Sequence, residues 1–180
     1  MPFLEILTRT YKRPMMLAAN QASLAAQTSG DWVQTLLVDE VGRGCGWANV
    51  RLGQQAPQLV GEYVWVLDDD DVCVDDSLVE QLALIAQVAA PDVIVMRMDH
   101  GALGVLPDGA HWRKRPVRGR IGVSACVIRR ALFQQCAGAW KEVYDGDFDF
   151  IAAVFDAKPI VFWYDCIASR VQRVSRGAPE

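Results

Sequence analysis

Residues 62–71, Glu-Tyr-Val-Trp-Val-Leu-Asp-Asp-Asp-Asp, decide how the rest of this sequence is interpreted. The first six are mostly apolar and rich in β-branched and aromatic side chains, which is typical of a buried strand. Four consecutive carboxylates, Asp68 to Asp71, follow directly. Adjacent like charges repel, and the repulsion is larger at the end of a buried strand than in open solvent. A divalent metal ion or a cationic group on a ligand would relieve it, so this stretch indicates a metal or phosphate site.

The competing interpretation is a solvated acidic turn, or a set of carboxylates that caps the next helix. That helix already has three polar residues at its start, Asp75, Asp76 and Ser77. Ser77 and Glu80 also have the spacing of a capping box, and Pro91 ends the predicted helix. The four aspartates are therefore not needed for capping.

Composition places the chain among ordinary globular proteins. Its 180 residues correspond to one domain, with 52% hydrophobic and 22% charged residues. The net charge of −4 gives no reason to expect nucleic acid as a partner. Five scattered cysteines without metal-binding spacing indicate buried, reduced thiols and predict a cytoplasmic location. We expect neither a signal peptide nor a transmembrane segment.

Strands and helices alternate along the chain. The predicted strands lie at residues 3–8, 32–38, 62–67, 92–98, 121–128 and 159–167. Helices are predicted between the first four strands, and a polar tail is predicted over residues 170–180. This order predicts an α/β fold, a Rossmann-like single domain with a mostly parallel mixed sheet flanked by helices. Ligands would bind at the carboxyl ends of the strands.

Two segments interrupt the alternation. Gly42 to Gly46 has half of a dinucleotide-binding fingerprint but follows the wrong strand, so a flexible turn is favoured. His100 to Arg120 contains several glycines and prolines, with a basic cluster between Arg113 and Arg120. That segment is either a solvated surface loop or a mobile cationic flap over a phosphorylated ligand.

Five segments, in order along the chain, resemble motifs of family-2 glycosyltransferases of the GT-A fold, within the nucleotide-diphospho-sugar transferase superfamily. Residues 10–14, Thr-Tyr-Lys-Arg-Pro, resemble the family's Thr-Tyr-Asn-Arg-Pro motif, and residues 38–40 resemble its Val-Asp-Asp motif. Residues 61–71 are similar to its Gly-Glu-Tyr strand and Leu-Asp-Ser-Asp-Asp motif. Residues 128–130 look like the start of its arginine-rich helix, and residues 147–150 look like its Glu-Asp-x-Asp-Leu segment.

This resemblance implies an inverting, metal-dependent transfer of a sugar from a nucleotide-diphosphate sugar, with a UDP-sugar favoured. The acceptor would be an unidentified hydroxyl on a glycan, lipid or protein. Residues 1–98 would form the nucleotide-sugar-binding half, and residues 99–180 the acceptor half with its flexible loop. The implied nucleotide-binding residues are Thr10, Tyr11, Arg13, Asp39, Asp68 and Asp69.

The resemblance also implies a bound cation and a general base. Mn²⁺ or Mg²⁺ would be bound by Asp70 together with Asp68, and would neutralise the leaving diphosphate. The implied base is Asp147, with Asp149 as the second choice. An aspartate just before an amphipathic helix is alternatively an N-cap without a catalytic role. His111 is either a solvated loop residue or a late metal ligand, as in some GT-A enzymes.

The sequence departs from the family pattern at two places. Gly146 stands where an acidic residue usually precedes the base, and Ala48-Asn49-Val50-Arg51 only partly matches an Ala-Arg-Asn motif. Gly146 and the short acceptor half leave open a catalytically weak sugar-nucleotide or glycan-binding module on the same fold.

A phosphatase is the alternative from another enzyme class. An Asp-x-Asp at a strand end also fits a Mg-dependent, haloacid-dehalogenase-like phosphatase, with Asp68 as nucleophile and Asp70 as acid. Such an enzyme needs a downstream lysine, and neither Lys141 nor Lys158 has a suitable context.

Overall fold

The computed structural model describes residues 1–172, which form one sheet with helices packed on both faces. The strands are β1 (Leu4–Thr10), β2 (Trp32–Val38), β3 (Tyr63–Val66), β4 (Asp71–Cys73), β5 (Val93–Asp99), β6 (Val105–Leu106), β7 (Cys126–Arg129) and β8 (Val161–Val171). The helices are α1 (Pro14–Ala25), α2 (Cys45–Gln55), α3 (Leu78–Ala89), α4 (Arg130–Cys136) and α5 (Gly146–Asp156).

The sheet has the order β2-β1-β3-β7-β5-β8-β4, with β6 paired to β5. β1 is parallel to both β2 and β3, and β5 is parallel to β8. β7 lies between β3 and β5 and is antiparallel to both. The other five strands of this set, β1, β2, β3, β5 and β8, therefore share one direction. The predicted α/β class with a mostly parallel mixed sheet is therefore confirmed.

Side chains on β3 alternate between two cores, one on each face of the sheet. Tyr63 and Trp65 pack in the core that contains side chains of α1 and α3. Val64 and Val66 pack in the core that contains side chains of α2, α4 and α5. All four are at most 1% exposed, and each buried valine contributes about 1.5–3 kcal/mol. A strand covered on both faces has a continuous apolar sequence, which explains residues 62–67.

A short strand follows the aspartates, and it is absent from the predicted strands. Val72 and Cys73 belong to this strand, β4, whose partner is the end of β8. Asp71 is paired with Val171, so β8 extends through residues assigned to the polar tail. Residues 173–180 of that tail lie outside the described part of the chain.

Several predicted boundaries are also wrong. β1 continues to Thr10 rather than ending near residue 8, because β2 pairs with it along its whole length. α2 begins at Cys45, so the predicted flexible turn at Gly42 to Gly46 runs directly into a helix. The predicted strand at 121–128 begins only at Cys126, after a 3₁₀ turn.

The predicted capping box does not form, because the Ser77 hydroxyl donates to Asp75 and accepts from the Gln81 side chain, and it caps no backbone N–H of the helix. Not all five cysteines are buried, since Cys45 is exposed and Cys166 is half-buried. In residues 1–172, no helix combines the length and the apolar character needed to cross a bilayer.

Candidate active site

A cleft of about 450 Å³ opens where β1, β2, β3 and β5 end. Strands that run in one direction end at the same edge of a sheet, so side chains distant in sequence meet there. Most of the predicted site residues line this cleft, namely Thr10, Tyr11, Arg13, Asp39, Asp68, Asp70 and Asp147. Asp69 and Asp149 do not line it.

The turn formed by the four aspartates is held from below by a buried amide. The Asn20 side chain of α1 donates to the backbone carbonyls of Asp68 (3.0 Å) and Asp71 (2.8 Å). Asn20 is itself fully buried. This contact fixes the turn, so the four carboxylates point in different directions and have different surroundings.

Arg9 is a site residue that the sequence pattern did not indicate. Its Nε and Nη2 donate to the two carboxylate oxygens of Asp68 at 2.7 and 2.5 Å. Its Nη1 and Nη2 donate to the two oxygens of Asp147 at 3.1 and 3.3 Å, and Nη1 also donates to Asn49. The only available signal was a charged residue near the ligand-facing end of β1.

These contacts determine the charge states of the group. Burial alone would lower the pKa of Arg9, but Asp147 and Asp68 raise that pKa well above its ordinary value, so Arg9 stays charged. Burial raises the pKa of Asp147, and Arg9 opposes this shift. A raised carboxylate pKa lies closer to neutral pH, which suits a general base.

Asp147 is not the N-cap of α5. The helix starts at Gly146 and its N-cap is Asp145, so Asp147 is the second helical residue. Its carboxylate bonds to Arg9, and the capping alternative is wrong for this residue.

Gly146 has a steric reason to depart from the family pattern. A Cβ at residue 146 would lie 2.7 Å from Asn49 Nδ2 and 2.7 Å from the Lys141 carbonyl oxygen. Asn49 Nδ2 also donates to the Val143 carbonyl oxygen at 2.9 Å. Asn49 thus holds the segment before α5, and no side chain fits at residue 146.

Arg13 holds two of the other aspartates. Its Nε donates to Asp69 at 3.0 Å and its Nη1 to Asp70 at 2.9 Å. Asp69 is fully buried, and this burial raises its pKa to about 6 although Thr10 and Arg13 lower it. Asp69 therefore supports Arg13 from beneath the cleft, and its side chain does not reach a ligand directly.

Asp70 and Asp71 differ in exposure. Burial, followed by repulsion from Asp68, raises the pKa of Asp70, which lines the cleft beside Arg13. Burial together with Asp68 and Asp70 raises the pKa of Asp71 to about 8. Asp71 begins β4 and has no place in the cleft lining, which fits a structural role.

The carboxylates fit a divalent cation, with Asp70 as the better ligand. Among the residues that line the cleft, five carboxylates outnumber three guanidinium groups by two charges; they are those of Asp39, Asp68, Asp70, Asp145 and Asp147 against Arg9, Arg13 and Arg118. Both oxygens of Asp68 already accept from Arg9, so Asp68 is a poorer ligand than the sequence implied. Within residues 1–172, no three His, Cys, Asp or Glu side chains form a ready-made metal cluster.

Asp39 shapes the glycine-rich loop after β2. Its carboxylate accepts from the backbone N–H groups of Val41 (3.1 Å), Gly42 (2.9 Å) and Arg43 (2.5 Å). Burial raises the pKa of Asp39, but these backbone N–H groups outweigh it and hold the pKa below its ordinary value. Gly42 and Gly44 have φ angles of +81° and +89°, which glycine adopts readily.

The loop before β7 closes one side of the cleft through Arg118. Its Nη1 lies 2.9 Å from Asp145, its Nη2 lies 2.9 Å from Asp149, and its guanidinium stacks over Phe148. Asp149 also lies 3.5 Å from Lys141 Nζ. Two cations therefore neutralise Asp149 outside the cleft, which makes it a poor candidate for the base.

The two histidines have different positions. His111 pairs with Asp108 at 2.7 Å and does not line the cleft, so the structure does not support it as a metal ligand. His100 lines the cleft, and its buried Nδ1 has no hydrogen-bond partner among the described residues.

No protein-family model matches this sequence, and no curated protein matches it either. Solved structures do match. S. aureus TarS 1-349 in complex with UDP-GlcNAc aligns with a TM-score of 0.67 and 14% identity, over 98% of this chain and 60% of that chain. The mannosyltransferase PcManGT from Pyrobaculum calidifontis, in complex with GDP-Man and Mn²⁺, aligns with a TM-score of 0.66 and 13% identity, over 98% and 58%.

This chain has the GT-A fold. A197 from STIV also aligns, with a TM-score of 0.52 and 15% identity, over 92% of this chain and 82% of that chain. The resemblance expected from the sequence motifs is confirmed at the level of the fold. The chain spans about 60% of the length of TarS 1-349.

The structure weakens the phosphatase alternative. An attacking carboxylate needs an accessible oxygen, and both oxygens of Asp68 accept hydrogen bonds from Arg9, so Asp68 could attack only where this pair opens.

Proposed function

We propose that this chain is a glycosyltransferase, which moves a sugar from a nucleotide-diphosphate sugar to an acceptor hydroxyl with inversion. One observation carries the proposal. Carboxylates from the aspartate turn and from α5 line a single cleft at the strand ends of a GT-A fold. Inverting transfer needs a site for the diphosphate and a base on the opposite face of the sugar. The proposed donor side is Asp68 with Asp70, and the proposed base is Asp147.

The donor side would bind the nucleotide through Thr10, Tyr11 and Arg13. Asp39 would hold the glycine-rich loop beneath the nucleobase of the bound nucleotide. Any lone pair of its carboxylate that the loop does not use could also accept a hydrogen bond. A UDP-sugar is the favoured donor, supported by the UDP-GlcNAc bound to TarS. GDP-Man in PcManGT makes a GDP-sugar the second choice.

A divalent cation, Mn²⁺ or Mg²⁺, would be held by Asp70, with Asp68 contributing where its pair with Arg9 opens. When bound, the cation would supply the positive charge that a leaving diphosphate requires. The excess of negative charge in the cleft and the Mn²⁺ of PcManGT both support this choice.

Asp147 would accept the proton of the acceptor hydroxyl. Its carboxylate lies in the cleft, its pKa is raised by burial, and Arg9 limits that rise. Asp145 and the exposed Tyr144 line the same part of the cleft, on the side where an acceptor would enter.

A second candidate, the sugar-nucleotide or glycan-binding module, is favoured by one observation. Both oxygens of Asp147 accept hydrogen bonds from Arg9, and a base must release such bonds to take a proton. In that case nucleotide binding would persist without turnover.

Thermal unfolding with UDP, GDP and ADP, each with EDTA, Mn²⁺ or Mg²⁺, tests the donor side. A nucleotide at one hundred times its dissociation constant stabilises a protein by about 2.7 kcal/mol. Each kcal/mol raises Tm by about 2–4 °C in a chain of this size, so we expect a rise of about 5–10 °C with metal. Stabilisation by no nucleotide under any condition would refute the proposed function.

The matched variants are Asp70→Asn and Asp165→Asn. Asp70→Asn should remove the metal-dependent part of the rise. Asp165 is exposed and paired with Arg97, away from the cleft, so Asp165→Asn should keep the whole rise. Nucleotide binding without release of nucleotide diphosphate from any donor sugar would favour the binding module.

A further inference from the structure

We propose that Arg9 is a positioning residue, which holds Asp147 in the orientation of a base and ties it to the donor-side carboxylate Asp68. This inference rests on the proposed function. It assigns to Arg9 a role in turnover rather than in nucleotide binding.

The hydrogen-bond inventory of Arg9 is complete. A guanidinium has five N–H donors in a rigid plane. Asp68 accepts two hydrogen bonds, Asp147 accepts two, and Asn49 accepts one. While these bonds persist, Arg9 has no donor left for a diphosphate. It must therefore act through the carboxylates that it holds.

The contact joins segments that are far apart in sequence. Arg9 is the penultimate residue of β1, and Asp147 lies 138 residues later in the first turn of α5. Asn49 of α2 accepts from Arg9 and also donates to the Val143 carbonyl, so it links Arg9 to the segment that precedes α5. The position of the proposed base, Asp147, thus depends on the guanidinium of Arg9, which also holds the donor-side residue Asp68.

The planar geometry of Arg9 matters as well as its charge. Two bidentate carboxylate contacts fix the rotation of both carboxylates, which a single point charge cannot do. The side chain of Arg9 is only 11% exposed, so water does not readily replace these contacts. Arg9→Lys should therefore restore only part of what Arg9→Met removes.

The test is a double-mutant cycle on release of nucleotide diphosphate from UDP-GlcNAc and GDP-mannose. Arg9→Met should lower kcat by about a hundredfold, as expected when a catalytic group is displaced. The affinity for nucleotide should not fall, because Arg9 has no donor free for it and its loss releases Asp68, and Arg9→Lys should recover part of kcat. The Arg9→Met, Asp147→Asn double variant should be no slower than Asp147→Asn alone, because both changes remove the same function.

Arg115→Met is the matched control. Arg115 is an exposed arginine paired with Asp156, and neither residue lines the cleft. Its removal should leave kcat unchanged.

Three results would overturn the inference. Additive losses in the cycle, or a loss confined to nucleotide affinity, would show that Arg9 acts on the ligand. A crystal structure of Arg9→Met with Asp147 and the first turn of α5 unmoved would also overturn it, and this readout needs no activity. Failure of wild-type protein to bind any nucleotide diphosphate would instead refute the proposed function, and with it any role of Arg9 in turnover.

Discussion

Gly146→Ala is the sharpest probe of how the candidate site is built. The added methyl group would lie 2.7 Å from the Asn49 amide nitrogen and 2.7 Å from the Lys141 carbonyl oxygen. Relieving both contacts requires movement of a backbone carbonyl and of an amide that bonds to both Arg9 and Val143. Neither neighbour is the free end of a flexible side chain.

The expected cost combines two opposing effects. Overpacking of one methyl group costs about 1–3 kcal/mol. Alanine is favoured over glycine in a helix by about 0.5–1 kcal/mol, which offsets part of that cost. We therefore expect a net loss of about 0.5–2 kcal/mol in the free energy of unfolding, and a Tm lower by about 1–8 °C.

Thermal and urea unfolding measure this loss, with Gly138→Ala as the control. Nothing lies within 4 Å of a Cβ at residue 138, so that variant should not lower Tm. The same displacement of Asn49 should slow sugar transfer by Gly146→Ala beyond its effect on stability. A Gly146→Ala protein as stable as wild type would refute the steric explanation for glycine at this position.

Two further predictions concern the aspartates. Asp147→Asn should lower sugar transfer by about 10²- to 10⁴-fold, the usual loss of a general base, and should keep nucleotide binding. Asp156→Asn, in the same helix but outside the cleft, is the control. Transfer that survives in Asp147→Asn would exclude Asp147 as the base. Asp71 has a folded-state pKa of about 8, well above the unfolded value of about 3.9. Between these two pH values the native state therefore binds one more proton than the unfolded state. In EDTA, stability should therefore fall as pH rises towards about 8, and Asp71→Asn should flatten that slope; parallel pH profiles for the two proteins would contradict this.

Much of the fold was readable from the sequence because it depends on local patterns. The apolar run at residues 62–67 predicts a strand that is buried on both faces, and β3 packs in two cores. The predicted helix after the aspartates is α3, since its apolar periodicity is local. The strand at Val72 and Cys73 was not predicted, because it exists only through pairing with β8, almost a hundred residues later.

The sequence by itself determined which residue types meet at the strand ends. Acidic groups after β2 and β3, and the Thr-Tyr-Lys-Arg-Pro segment after β1, were assigned to one edge, and the structure brings them to one cleft. Parallel strands end at the same edge whatever their separation in the chain, so this step needed only the order of the elements.

Only the tertiary structure decided how the carboxylates differ from one another. Four adjacent aspartates look equivalent in the sequence, yet Asp68 pairs with Arg9, Asp69 is buried under Arg13, Asp70 faces the cleft, and Asp71 begins a strand. Each difference arises from burial and from a charged partner that is distant in the chain. The electrostatics of a carboxylate depends on its neighbours in space, and a linear pattern does not contain them.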